Sequence, residues 1–325
     1  MSEAQATGTV GVAPLGSPWH RLGAWLASER VFRLLPFIAV EAIFVLVIII
    51  PFLLTVYISF LKWRANRPFE QAVLSGFENY VQVLTEPGFW TALGRTFYFA
   101  ACAVTLELVI GFVLAMLVSR TVRGKGLYIT ILLVPMMIVP VVVGYNFTML
   151  YIDSGPINQL IAPFVAPFGI DPRIRWLSHP VAAQWAVILA DVWQWTSLTF
   201  LIFLSGFAAL PKQLVNAARV MGASAWQIFW RVELPLLKPA IVIAVVIRSM
   251  EALKIFDPVV LLTAGGPGTS SQSIAFYLWE QVWVFNKFSF GAAASIILLF
   301  IFATLIFLGI YLLVRSSTAV ARGVR

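Results

Sequence analysis

An all-α integral membrane fold with six spanning helices is predicted by three observations. Of 325 residues, 61% are hydrophobic and only 11% charged, with a mean hydropathy of +0.93, whereas soluble domains carry about one-quarter charged residues. Six apolar runs approach the roughly 20 residues needed to cross a hydrocarbon core of about 30 Å. None shows the short alternation of a barrel strand, and a backbone in lipid must satisfy its own hydrogen bonds, so each run reads as a helix.

The elements follow in order. Residues 1–36 form a leader in which Trp19, Leu22, Trp25 and Leu26 alternate with Arg21, Arg30 and Arg33, a pattern shared by a helix lying on the membrane surface and by an ordinary solvated segment. The first run, Phe37 to Phe60, is longer than a signal-peptide core and lacks a small-residue cleavage pattern, so it is expected to stay as an anchor. Thr91 to Val118, Leu127 to Leu150, Val181 to Leu204, Pro239 to Leu262 and Gly291 to Val314 are the remaining spans. Pro51, Pro135, Pro140 and Pro258 predict kinks or breaks inside them. Residues 315–325 form a short tail, and Cys102, the single cysteine, reads as a small packed residue with no disulfide partner.

Six spans place both termini on one side, and the basic residues select it. Segments 1–36, 119–126, 205–238 and 315–325 hold thirteen Lys or Arg, against six in 61–90, 151–180 and 263–290. The positive-inside bias therefore puts both termini in the cytoplasm. The net charge of +8 comes from these short clusters, without the basic, aromatic-interleaved domain that a nucleic acid would need.

The longest connection on that side, 205–239, is predicted to be folded. Pro211 suits a first helical turn, Gly222 a helix stop, and Ser224 with Gln227 a capping box that opens a second helix, which Pro235 and Pro239 are expected to end. Leu214, Ala217, Ala218 and Met221 form an apolar stripe of the kind that inserts into a groove on another protein.

This stretch, Asn216-Ala217-Ala218-Arg219-Val220-Met221-Gly222-Ala223-Ser224 followed by Phe229, Leu234-Pro235 and Lys238-Pro239, resembles the EAA loop of inner-membrane permeases of binding-protein-dependent ABC importers. Asn216 and Met221 depart from the family's usual acidic residues at those positions. Leu262-Thr263-Ala264-Gly265-Gly266-Pro267-Gly268, Tyr277, Gly291-Ala292-Ala293-Ala294-Ser295 and Asp153-Ser154-Gly155-Pro156-Ile157-Asn158 are similar to the carbohydrate-uptake branch, the maltose and glycerol-phosphate type. The resemblance covers roughly 37–314. It implies a six-helix permease in the bacterial inner membrane that pairs with a second permease, two ATPase subunits and an extracytoplasmic binding protein. Asn216, Ala217, Ala218, Gly222 and Ala223 would then couple to the ATPase. The chain itself has no glycine-rich phosphate loop, so ATP and magnesium are expected on the partner, and no cofactor here.

Charged side chains in mid-membrane cost about 2.5–3.5 kcal/mol each on insertion scales, so each calls for a partner or water. In the fifth span Arg248, Glu251, Lys254 and Asp257 alternate in sign at three-residue spacing, which suits either a solute-contacting row or a self-neutralised ladder. In the fourth, Asp191, Gln194 and Trp195 combine hydrogen-bonding groups with an aromatic plane suited to a sugar ring, or join helices by polar contacts. Arg95 and Glu107 on the second span pair with other helices or, for Arg95, snorkel. A self-contained secondary transporter using Asp191 or Glu251 is the alternative, but it gives no reason for the capped helix pair. His20 and His179 have no metal-ligand companions and no nucleophile–base pair is evident, which leaves an enzyme unsupported.

Overall fold

The computed structural model describes residues 37, 40–120, 123–168, 171 and 173–322, with side chains to Tyr311. The expected leader at 1–36 lies outside the described residues. Internal contacts divide the chain into two units, one reaching Tyr57 and the other Ile58–Arg325.

In the first unit, α1 (Val40–Ser59) begins the anchor and crosses the unit boundary at its end. Its side chains are almost all exposed within the chain, as lipid-facing or partner-facing residues are. Pro51 does not break it. A π-helical turn, Val45–Ile49, precedes the proline and absorbs the missing amide bond, while the Thr55 hydroxyl donates to the Pro51 carbonyl at 2.9 Å.

The second unit opens with a two-stranded antiparallel ribbon, β1 (Leu61–Lys62) and β2 (Val73–Leu74), and the short α2 (Glu78–Thr85). The 34-residue α3 (Pro87–Arg120) follows. Next come α4 (Lys125–Met137) and α5 (Pro140–Leu150), which meet at 94°. After α6 (Pro156–Val165), α7 (Pro180–Ala208) runs through the centre and is the most buried span. Then come α8 (Lys212–Val220), α9 (Ala225–Ile228) and α10 (Leu234–Ala252). A π-helical segment Val259–Thr263, α11 (Ile274–Trp279) and α12 (Phe288–Arg322) complete the chain. Among the described residues, four helices are long and apolar enough to cross a membrane, five if α4 and α5 form one span.

Two predicted spans are interrupted. The third is the α4–α5 pair, broken at Ile138–Val139 beside Pro140. The Gln194 amide crosses from α7 and donates to the Ile138 carbonyl at 2.9 Å, replacing the helical bond that the break removes. The fifth, predicted as continuous from Pro239 to Leu262, ends its helix at Ala252 and resumes at Asp257 and Pro258, which lead into the π-helical segment Val259–Thr263. Here the Ser273 hydroxyl donates to the Ile255 carbonyl at 2.7 Å.

Small residues set how closely these helices approach. At Gly111 on α3, an added Cβ would sit 2.8 Å from the Phe200 amide nitrogen of α7. At Gly144 on α5 it would sit 2.5 Å from the Leu261 side chain. Packing then builds one core from Phe99 and Ala103 of α3, Val143 and Phe147 of α5, Ala186 and Ala190 of α7, and Val259 and Leu262. Cys102 is free and half-buried at its margin.

Candidate functional site

The predicted loop is a rigid helix–turn–helix. Helix α8 closes at Met221, and Gly222 takes φ +81°, a left-handed conformation that suits glycine. Its amide donates to the Arg219 carbonyl and that of Ala223 to the Ala218 carbonyl, each at 3.0 Å. This is the paired C-terminal bonding of a Schellman motif. The next helix starts at once: the Ser224 hydroxyl accepts from the Gln227 amide at 3.3 Å, and the Gln227 side chain accepts from the Ser224 amide at 2.9 Å, the predicted capping box. Pro211 lies one residue outside α8. Ala218 and Ile228 are buried, whereas Val220 is 88% and Met221 81% exposed, and Trp226 is exposed too.

The expectation that Pro235 and Pro239 end the second helix is wrong. Helix α9 continues through a π-helical turn, Phe229–Glu233, into α10, with Pro235 in its first turn and Pro239 inside it. The widened turn accommodates the residues ahead of Pro235, so the proline does not stop the chain. From Ala225 to Ala252 the backbone is one lever. Near its base Arg120, at the end of α3, pairs with Glu233 at 2.9 Å, and the Phe229 ring meets Phe112 of α3 edge to face, with centroids 6.0 Å apart.

Higher on the lever, Arg248 is buried (1% exposed) between Glu107 of α3 (0%) and Asp191 of α7 (4%). Its Nε and Nη2 both donate to the Glu107 carboxylate, the latter at 2.7 Å, and Nη2 also donates to Asp191 Oδ2 at 2.6 Å. The guanidinium carbon lies 5.5 Å from the centre of the Trp195 ring. Gly111, one turn along α3 from Glu107, and the bond from the Thr199 hydroxyl to the Glu107 carbonyl at 2.8 Å hold α3 and α7 close enough for one guanidinium to bridge both carboxylates.

The residues predicted along the fourth and fifth spans therefore divide. Asp191, Trp195 and Arg248 come together, with Glu107 completing the cluster. Gln194 is engaged at the α4–α5 break. The four-charge ladder does not form: only Glu251 and Lys254 pair, at 2.9 Å on an exposed surface, and Asp257 lies past the end of α10, half-buried. Three-residue spacing turns each side chain about 60° from the last, and the helix ends at Ala252, so one face cannot carry all four.

On the opposite end of the spans, the Gly-rich loop is stitched to α3 and α7. Ala264, Gly265 and Gly268 have positive φ, and the Ser271 hydroxyl donates to the Gly266 carbonyl at 2.7 Å. Gln184 of α7 donates to the Ser270 carbonyl at 2.8 Å, and Thr96 of α3 accepts from the Ile274 amide at 2.8 Å. Arg95 reaches the Gln272 carbonyl at 3.5 Å rather than snorkelling. Tyr277 packs with Phe89 and Phe290, and burial, then Glu86 and Glu280, push its hydroxyl up to about 12, so it stays neutral. Asn158 ties the Asp153 turn together, donating to the Asp153 and Ile174 carbonyls and accepting from Trp176.

Comparison with known proteins agrees with this architecture. A family model described as binding-protein-dependent transport system inner membrane component matches residues 107–320. The trehalose/maltose transport system permease MalF of Thermococcus litoralis is 31% identical over 283 residues, 86% of this chain and 90% of that one. The trehalose transport system permease SugA of Mycobacterium tuberculosis is 36% identical over 237 residues, 73% of this chain and 74% of that one. A chain of a crystallised bacterial ABC transporter for import of the acidic polysaccharide alginate superposes with a TM-score of 0.72, at 20% identity, over 92% of this chain and 99% of that one.

Proposed function

The chain belongs to the inner-membrane components of binding-protein-dependent transport systems, and on that premise we propose that it translocates a sugar or sugar-like solute into the cytoplasm. It is a multi-pass permease subunit of an ABC importer, not an enzyme, working with a binding protein and a permease partner. The sugar class is supported by relatives named for trehalose, maltose and, at 30% identity over 284 residues in Agrobacterium fabrum, sulfoquinovosyl glycerol.

In this reading residues 37–314 are the transmembrane permease domain, 205–239 its coupling loop, and 1–36 and 315–325 cytoplasmic ends. The second permease is homologous, and two ATPase subunits supply ATP and magnesium. The observation that carries the proposal is the lever: an exposed, doubly capped turn at Val220–Ser224 continuous with α10. A push on Asn216, Ala217, Ala218, Gly222 or Ala223 reaches mid-membrane without crossing a flexible joint. Glu107, Asp191 and Arg248 clamp that lever to α3 and α7, and Trp195, Glu251 and Lys254, which keep exposed surface, flank the solute path. A secondary transporter would need Asp191 or Glu251 for a coupling ion, and both are engaged in ion pairs.

The test is to place bulk or charge at Ala217 or Gly222 in the assembled complex and measure ATP hydrolysis together with uptake. Loss of coupling with the protein still in the membrane is expected; full coupled transport by both variants would overturn the assignment.

A further inference from the structure

A cavity lies at the other end of the spans from the coupling turn, separated from it by the length of α3, which at about 1.5 Å per residue is enough to cross the bilayer. It has a volume of about 470 Å³, and its charged lining is Lys62, Arg64, Arg67, Lys287 and a single carboxylate, Glu78. Glu78 is engaged with Lys62 at 2.9 Å. Lys287 donates to Gln281 at 2.9 Å and stands 5.8 Å from the centre of the Phe290 ring. The Arg64 and Arg67 guanidinium groups are exposed and bond to no group among the described residues. The cavity thus carries three uncompensated positive charges.

Its depth is set covalently. Lys62 and Arg64 follow within five residues of Ser59, where the apolar α1 ends, and Lys287 immediately precedes Phe288, where α12 begins. The pocket is framed where the two helices meet the ribbon: the Trp63 amide donates to the Ser289 hydroxyl at 3.0 Å, and Asn79 donates to the carbonyls of Ser59 and Leu61 at 2.8 and 2.7 Å. Around it, Trp63 packs on Phe69 and Phe288, and Trp283 on Phe288, aromatic side chains of the kind that sit at headgroup level.

We propose that this cavity binds the phosphate of an anionic phospholipid headgroup from the leaflet facing away from the coupling helices. Arginine forks match phosphate oxygens bidentately, and Lys and Arg clustered near a membrane surface attract anionic headgroups. The concave shape and the depth favour a lipid over an acidic surface of a docked protein, which would meet residues projecting beyond the membrane.

The experiment uses the assembled transporter in mild detergent, titrated with short-chain phosphatidylglycerol, phosphatidylcholine or glycerol phosphate and read by native mass spectrometry. Wild type is compared with Arg64→Gln/Arg67→Gln and with Arg173→Gln/Arg175→Gln, a control elsewhere on the same end. At about five-fold per basic residue, the first pair should weaken one phosphatidylglycerol site roughly 30-fold, leaving phosphatidylcholine retention and the control unchanged. Equal phosphatidylglycerol binding by wild type and the Arg64/Arg67 variant would overturn the proposal. So would glycerol phosphate binding as tightly as the lipid, which would make the cavity a soluble-phosphate site, or a loss confined to binding-protein affinity. Unchanged thermal stability of the variant confirms that charge, not folding, is read.

Discussion

Replacing Arg248 by methionine tests the clamp most sharply. The substitution removes all three charge-assisted bonds and leaves Glu107 and Asp191 facing each other in a site from which water is excluded. At an effective dielectric of about 20, each carboxylate–guanidinium contact near 4 Å is worth about 4 kcal/mol of Coulomb energy, most of it opposed by desolvation. The measured cost of breaking such a pair is about 3–5 kcal/mol, because the orphaned charges stay buried. For a chain of this size that corresponds to a fall in apparent Tm on the order of 5–10 °C. The assay is thermal unfolding of the purified complex in detergent. Combining Arg248→Met with Glu107→Gln and Asp191→Asn removes the orphaned charges, and the triple variant should recover most of the loss. An Arg248→Met protein as stable as wild type, or a triple variant no better than the single one, would refute the reasoning.

Three further outcomes are expected. Gln194→Leu leaves the Ile138 carbonyl unpaired at the α4–α5 break and should cost about 1–3 kcal/mol, read as a lower Tm and faster proteolysis near Ile138. Gly111→Leu forces α3 away from Thr199 and Phe200 and should destabilise by at least the ~1–3 kcal/mol of an overpacked contact, whereas Gly94→Ala on the same helix, which meets nothing within 4 Å, should be silent in the same melting assay. Arg120→Ala breaks a pair whose arginine is half-exposed and should shift stability by no more than about 1 kcal/mol, so any large loss of coupled uptake in that variant reports transmission through the lever base.

What the sequence made legible was the chemistry confined to a few neighbouring residues. Ser224 and Gln227 announce a cap because both bonds close within three positions, and Gly222 announces a helix stop because few other residues tolerate its backbone angle. The long apolar runs likewise mark α1, α3, α7 and α12. Long-range partnerships were not legible. Arg248 stood beside Glu251 in the sequence, yet its partners lie 57 and 141 positions away, and only the close approach permitted by Gly111 brings them together. Gln194 read either as a sugar-binding amide or as an interhelical bond, and its acceptor could not be named because the Ile138 carbonyl is exposed only by a break that forms in three dimensions. The prolines showed where helices are stressed but not the outcome: Pro140 breaks a span, while Pro51 and Pro235 follow π-helical turns that carry the helix past them.

The central claim is that this subunit delivers the stroke of a separate ATPase to the membrane spans through the Val220–Ser224 turn. Purification of the C-terminally tagged protein from native membranes in mild detergent, with companions identified and counted by mass spectrometry, tests it directly. A second permease and an ATPase at stoichiometric amounts, with the ATPase lost when Val220, an exposed apolar residue of the turn, is changed to aspartate, is the expected result. Isolation of the chain alone under several gentle detergents, or an ATPase retained at full amount by the Val220→Asp protein, would contradict it.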